Sequence, residues 1–144
     1  MAWLDDEAYC TIGRFAASFG ALEHSILAAI HKLDPTSPLP EKVIEGTFAT
    51  RIQHLEKVAK RVGASDGWLS DFIAKSNEGL SARNHFSHGL WEKSDGKLKC
   101  SFYKRNNERN PVVWQGSLSD LVKLAQSNIE NVKALKTWID SKCP

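Results

Sequence analysis

The sequence predicts an all-α protein: an antiparallel up-and-down four-helix bundle with a small β-hairpin insertion, at about residues 90–115, before the last helix. Three observations support this fold class. Apolar residues recur every three or four positions in long segments, stretches rich in proline or glycine separate these segments, and one segment has the pattern of short β-strands. A chain of 144 residues can bury a core without disulfides or metals. We therefore expect residues 1–144 to form a single domain.

The first two predicted helices span roughly residues 5–33 and 41–61. DPTSPLP at 34–40 separates them, because a proline-rich stretch cannot continue a helix. The predicted buried face of the first helix consists of Ile12, Phe15, Phe19, Leu22, Ile26, Ala29 and Leu33. The predicted buried face of the second helix consists of Ile44, Phe48, Ile52, Leu55, Ala59 and Val62.

The third helix is predicted to begin near residues 65–68, after the break GASDG, and to end at 88–89. Its inward positions are Leu69, Phe72, Ile73 and Leu80. LWEKSDGKLKCSFYKR then places short segments around Asp-Gly, which is typical of a β-hairpin, and PVVWQG could add a third short strand. SLSD, from Ser117 to Asp120, resembles a capping box and opens the last helix. Its predicted buried face is Leu118, Leu121, Ala125, Ile129, Val132, Leu135 and Ile139.

Composition and the chain start favour a cytoplasmic protein. The formal net charge is +2, which by itself does not indicate a nucleic-acid binder. Cys10, Cys100 and Cys143 are far apart and form no CxxC pair, so neither a zinc ribbon nor a disulfide framework is indicated. MAWLDDEAYC is acidic and unlike a signal peptide, and the apolar runs are too short to cross a bilayer. We expect no association with a membrane.

A short polar cluster, SARNHFSHGLW at residues 81–91, falls at the end of the predicted third helix. Its Arg83-Asn84-x-x-x-His88 spacing resembles the R-polar-x-x-x-H signature of the HEPN (higher eukaryotes and prokaryotes nucleotide-binding) superfamily. That resemblance implies a four-helix bundle with the motif on its third helix. It also implies a metal-independent endoribonuclease, or an RNA-binding protein, that works as a homodimer without a cofactor. A role in a toxin or defence system would add an antitoxin-like partner.

The resemblance also implies the roles of the three motif residues. His88 would be the general base toward a ribose 2′-hydroxyl, Arg83 would hold the scissile phosphate, and Asn84 would orient the site. Imidazole titrates near neutral pH, and the arginine fork matches phosphate oxygens. Five residues on an ideal helix leave Arg83 and His88 about 140° apart. Their convergence therefore requires the long arginine to reach around, a helix end that unwinds near Gly89, or the arginine of a second subunit.

Basic residues supply candidate substrate contacts. Between residues 97 and 109 there are five basic residues and one acidic residue, and Lys104 and Arg105 are the candidates in this stretch, with Arg51 on the second helix. Consecutive residues of a strand point to opposite faces, so either Phe102 or Tyr103 could stack on RNA beside them. Glu23, beside the apolar face of the first helix, is a candidate partner that would orient Arg83.

The alternative is a non-catalytic helical module that dimerises or docks a partner, with Arg83 and His88 as polar contacts at a helix end. His85 and His88 have a spacing compatible with two metal ligands, but no third ligand lies at a suitable distance, so no metal is predicted. The sequence contains no glycine-rich phosphate loop, nucleophile elbow or HExxH motif.

Overall fold

The computed structural model describes residues 4–78, 80, 83, 89–104 and 107–144. These residues form five helices and one three-stranded antiparallel sheet. The helices are α1 (Asp6–Leu33), α2 (Glu41–Ile44), α3 (Phe48–Arg61), α4 (Gly67–Glu78) and α5 (Leu118–Lys142). The strands are β1 (Leu90–Ser94), β2 (Lys97–Lys104) and β3 (Asn107–Gly116). The predicted all-α four-helix bundle with a β-hairpin insertion before the last helix is therefore wrong.

One error concerns the predicted second helix, which is two helices. Gly46 lies between α2 and α3, and a Cβ at this position would be 2.2 Å from the carbonyl oxygen of Lys42, so a side chain does not fit there. Thr47 follows with an extended backbone, and its hydroxyl oxygen accepts a hydrogen bond of 3.3 Å from a backbone N–H three residues on. This contact is a helix N-cap. The break changes the phase of the buried face, so Ile44, predicted to be buried, is 49% exposed.

The other error concerns the β region, which is a sheet in the order β1-β2-β3. The Asp-Gly signal is confirmed, because Asp95 (φ 50°) and Gly96 (φ 74°) form the β1–β2 turn with the positive φ angles of a tight hairpin. β3 begins at Asn107, before the predicted third strand PVVWQG, and pairs with β2 from Leu98↔Gly116 to Lys104↔Asn107. The register shifts between Phe102 and Lys104, and such an irregularity hides the alternation on which strand prediction depends.

The two faces of the sheet differ sharply. Leu98 and Cys100 on β2 are fully buried. On the same face, the rings of Trp91 and Trp114 meet edge to face with their centroids 6.0 Å apart. The other face is exposed to solvent and is described below.

Side-chain caps accept backbone N–H groups at the starts of two helices. Asp5 accepts a hydrogen bond of 2.9 Å from the backbone N–H of Ala8, at the start of α1. The predicted capping box of α5 is confirmed, since Ser117 and Asp120 each accept a backbone N–H from the other, at 3.0 and 2.9 Å. Reciprocal contacts of this kind satisfy two backbone donors that a helix start leaves without partners.

Two compact units divide the chain, and α1 and α5 contribute residues to both. The first unit is Met1–Phe19 with Gly79–Ser127, and the second is Gly20–Glu78 with Asn128–Pro144. The largest fully buried side chains in the first are Phe15, Leu98, Cys100 and Leu121, and those in the second are Leu22, Ile26, Val43, Phe48, Leu55, Val58, Leu69 and Leu135. The single domain of residues 1–144 stays a prediction. No helix among the described residues has both the length and the apolar character needed to cross a bilayer.

Asp66 connects the start of α4 to the end of α5 within the second unit. One carboxylate oxygen accepts the backbone N–H of Leu69 at 2.9 Å. The other accepts the indole N–H of Trp138 at 3.1 Å and lies 2.9 Å from the Nζ atom of Lys142. These contacts, the backbone hydrogen bond from Leu69 first, lower the pKa of Asp66 from 3.8 to about 2, because each of them favours the charged carboxylate.

We expect Asp66→Asn to lower the free energy of unfolding at neutral pH by about 1–2 kcal/mol, since the amide keeps the helix cap but loses the charge-assisted contacts. The lowered pKa means that the wild-type advantage is complete above pH 3.8 and is lost as the pH falls toward about 2. Urea denaturation across this range measures the difference. Asp71→Asn, at an exposed position of α4, is the control. A difference between wild type and Asp66→Asn that stays constant down to pH 2 would contradict this account.

Candidate functional site

Arg83 is the predicted catalytic residue whose side chain the structure describes. Its backbone is helical and the residue is half-buried. The guanidinium carbon lies over the ring of Phe19, 5.1 Å from the ring centroid, which is a cation–π contact. Phe19 is itself 3% exposed and packs against Phe15, with the ring centroids 6.2 Å apart. The guanidinium therefore rests on a buried aromatic pair, which restricts the orientations of the Arg83 side chain.

The other motif residues, Asn84 and His88, lie outside the described residues, and so does Arg105. Lys104 is the last residue of β2, and its backbone pairs with Asn107. The catalytic roles of Asn84 and His88, and the substrate contacts of Lys104 and Arg105, stay predictions.

Arg51, a candidate substrate contact, makes three hydrogen bonds within the second unit. Its Nη1 atom lies 2.5 Å from Oε2 of Glu23, and the two side chains are only 16% and 12% exposed. Its Nε donates to the carbonyl oxygen of Val43 at 3.1 Å, and its Nη2 donates to that of Ile44 at 2.6 Å. These two carbonyls belong to the C-terminal half of α2, where a helix leaves acceptors without internal partners.

The contacts of Arg51 favour a structural role, because a guanidinium has five N–H donors and three of them already bond to the protein. Glu23 compensates the charge of Arg51 in this arrangement. The predicted orientation of Arg83 by Glu23, and the contact of Arg51 with substrate, stay predictions.

Two features of the site were missed in the sequence. The contact of Phe19 with Arg83 joins residues 64 positions apart, and no local periodicity indicates it. The second feature is the exposed face of the sheet. Its signal was present in the alternation of KLKCS, where Lys97 and Lys99 alternate with the buried Leu98 and Cys100.

A separate groove, of about 230 Å³, lies between α1 and α5 in the second unit. It contains none of the predicted site residues. Its lining is His24, Ser25, Ala28, Ala29, Lys32, Val132, Leu135, Lys136 and Ile139. Five of these nine residues are apolar, and His24, Ser25, Lys32 and Lys136 carry hydrogen-bond donors.

Among the described residues, no group of three or more His, Cys, Asp or Glu side chains could hold a metal ion. The candidate site thus consists of Arg83 on its aromatic support and of the exposed sheet face, and both belong to the first unit. Comparison of the chain with protein-family models, with curated proteins and with solved structures finds no match.

Proposed function

We propose that this protein is a metal-independent endoribonuclease of the HEPN type, in which Arg83 holds the scissile phosphate and His88 is the general base. The observation that supports it is the position of the Arg83 guanidinium over Phe19, 5.1 Å from the ring centroid, within an R-N-x-x-x-H motif. The ring of Phe19 restricts the orientations of the guanidinium, whose planar fork of donors matches phosphate oxygens.

The proposed chemistry needs no metal. His88 removes the proton of a ribose 2′-hydroxyl, and the 2′-oxygen attacks the adjacent phosphorus. The bond from phosphorus to the 5′-oxygen breaks, and the leaving oxygen takes a proton from the protonated imidazole or from water. The products are a 2′,3′-cyclic phosphate and a 5′-hydroxyl. Arg83 stabilises the negative charge that grows on the phosphate oxygens during the attack.

The proposal includes a homodimer. Arg83 and His88 are about 140° apart on an ideal helix, so a second copy that supplies the partner residue is one way to complete the site. An antitoxin-like protein that covers the motif is the partner that this function would require in a toxin system. Light scattering coupled to size-exclusion chromatography measures the oligomeric state.

The test is an RNase assay of the wild-type protein with excess chelator, on unstructured, structured and transfer RNAs. We expect cleavage that leaves a 2′,3′-cyclic phosphate or its hydrolysis product, detected by mass spectrometry. A substrate with 2′-deoxyribose at the cleavage position is the control and should resist, because it lacks the nucleophile. Cleavage of that substrate, or cleavage that stops with chelator, would contradict the mechanism. Absence of cleavage on all three RNAs would favour the non-catalytic alternative.

A further inference from the structure

The exposed side of the β-sheet forms a continuous surface, which we call the outer sheet face and define by Leu90, Lys97, Lys99, Ser101, Tyr103 and Val113. The register places Leu90 opposite Ser101 and Ser101 opposite Val113, and residues directly opposite each other in a sheet share a face. Alternation along β2 adds Lys97 and Lys99. Tyr103 follows Ser101 by two positions, lies where the register shifts, and is included because its side chain is exposed. The three strands therefore present one row of side chains from β1 across to β3.

This face carries three exposed side chains that are largely apolar. Tyr103 is 62% exposed, Leu90 is 58% exposed and Val113 is 45% exposed, whereas Leu98 and Cys100 on the opposite face are fully buried. No aromatic contact to Tyr103 is found within the part of the chain that the structure describes. Exposed apolar groups that cluster, with charged groups around them, mark binding surfaces.

The charge of the outer sheet face suits a polyanion. Lys97 and Lys99 take part in no ion pair among the described residues. Glu92 stands opposite Lys99 in the register and is an acidic residue on the same side of the sheet. From residue 97 to residue 109 the sequence has five basic residues and one acidic residue, so the segment from β2 into β3 is strongly positive.

We propose that the outer sheet face binds single-stranded RNA, with an unpaired base stacked on Tyr103 and the backbone phosphates beside Lys97 and Lys99. An aromatic ring on an open sheet offers its flat face to a base, but only when that base is not paired in a duplex. The choice of RNA over single-stranded DNA rests on the proposed function. In sequence, Leu90 at the start of β1 is two positions after His88.

A second copy of the chain is a less suitable occupant of this face. A symmetric pairing of two outer sheet faces would bring Lys97 and Lys99 of both copies together, and like charges at an interface oppose association. A polynucleotide instead supplies the opposite charge and the flat rings at once.

The first experiment measures affinity by fluorescence anisotropy, with a labelled uridine-rich RNA oligonucleotide and the His88→Ala protein, so that no cleavage interferes. We expect Tyr103→Ala to weaken binding about 5- to 150-fold, the range that loss of one stacked base gives. Tyr103→Phe should keep most of the affinity, because it keeps the ring. Tyr9→Ala is the matched control, since Tyr9 is an exposed tyrosine on α1 in the same unit (54%).

The second experiment measures how affinity depends on salt. Each lysine that neutralises a phosphate adds about 0.7 to the slope of log K against log salt for a single strand. We therefore expect the Lys97→Ala/Lys99→Ala double variant to lower that slope by about 1.4. The control is the double variant Lys57→Ala/Lys133→Ala, which removes two exposed lysines of the second unit and should leave the slope unchanged.

Several outcomes would overturn the proposal. Equal affinity of Tyr103→Ala and Tyr9→Ala, or equal slopes for the two lysine variants, would show that RNA does not use the outer sheet face. Equal affinity for a DNA oligonucleotide of the same sequence would overturn the choice of RNA. If Tyr103→Ala dissociates a dimer and leaves RNA affinity unchanged, the face is an interface between copies. These binding results are independent of cleavage, so a wild-type protein that binds at Tyr103 and does not cleave overturns only the proposed function.

Discussion

Replacement of His88 by alanine is expected to lower the rate of RNA cleavage by about two to four powers of ten, the contribution of a well-placed general base. The 2′-hydroxyl is a weak acid, so without an acceptor for its proton the attacking oxygen is formed rarely. The affinity for RNA should change little, because in the proposed mechanism His88 acts on a proton and holds no phosphate. Single-turnover cleavage with excess protein separates the chemical step from binding.

Arg83→Ala is expected to cause a loss of similar size for a different reason, since it removes the charge that stabilises the transition state. Arg83→Lys should recover part of the rate, because it restores the charge but lacks the planar fork of donors. The contact with Phe19 also favours arginine, as the flat guanidinium packs on a ring more completely than an ammonium does. An equal rate for Arg83→Lys and wild type would show that the positive charge alone, without the planar fork of donors, stabilises the transition state.

His85→Ala is the matched control for both variants, because it removes an imidazole from the same stretch, ARNHFSH, outside the R-N-x-x-x-H spacing. We expect it to cleave at nearly the wild-type rate. Full loss of cleavage in His85→Ala together with normal cleavage by His88→Ala would show that His85, and not His88, is the general base. All variants should be compared at equal folded concentration, checked by circular dichroism.

The elements that could be predicted from the sequence are those determined by neighbouring residues. The long apolar face of α1, the Asp-Gly turn and the Ser117–Asp120 capping box depend on spacings of a few residues. The division of residues 41–61 into two helices was missed because it depends on the close approach of the Gly46 backbone to a carbonyl oxygen. The apolar periodicity of this segment does not indicate that contact.

The site divides in the same way. The motif around Arg83 could be found because its residues are close in sequence, and its helical position agrees with the prediction for that residue. Its support by Phe19 and the pairing of Arg51 with Glu23 are tertiary contacts. Glu23 stood out in the sequence as a polar residue beside an apolar face, and Arg83 was its candidate partner. The sequence alone did not identify Arg51 as a partner, because many basic residues were equally distant along the chain.

Arg51→Met is expected to lower the free energy of unfolding by about 3 kcal/mol, because it removes the cation that pairs with the largely buried Glu23 carboxylate. It also removes the donors to the carbonyl oxygens of Val43 and Ile44 at the end of α2. Urea denaturation at neutral pH measures the change. The control is Lys60→Met on the same helix, which breaks an exposed i,i+4 pair with Glu56 (side chains 66% and 44% exposed) and should cost at most about 0.5 kcal/mol.

The double variant Arg51→Met/Glu23→Leu separates two contributions to the free energy of unfolding: the penalty of removing one charge of the pair, and the net stabilisation that the pair provides. Because it removes both charges of the pair, we expect it to be more stable than Arg51→Met alone, with a coupling energy of about 1–3 kcal/mol. If Arg51→Met costs no more than Lys60→Met, the pair does not stabilise the fold. The same variants test the predicted contact of Arg51 with RNA. If Arg51 has only a structural role, the folded double variant binds RNA with wild-type affinity. If Arg51 contacts the substrate, the double variant binds RNA more weakly even though its stability has been recovered.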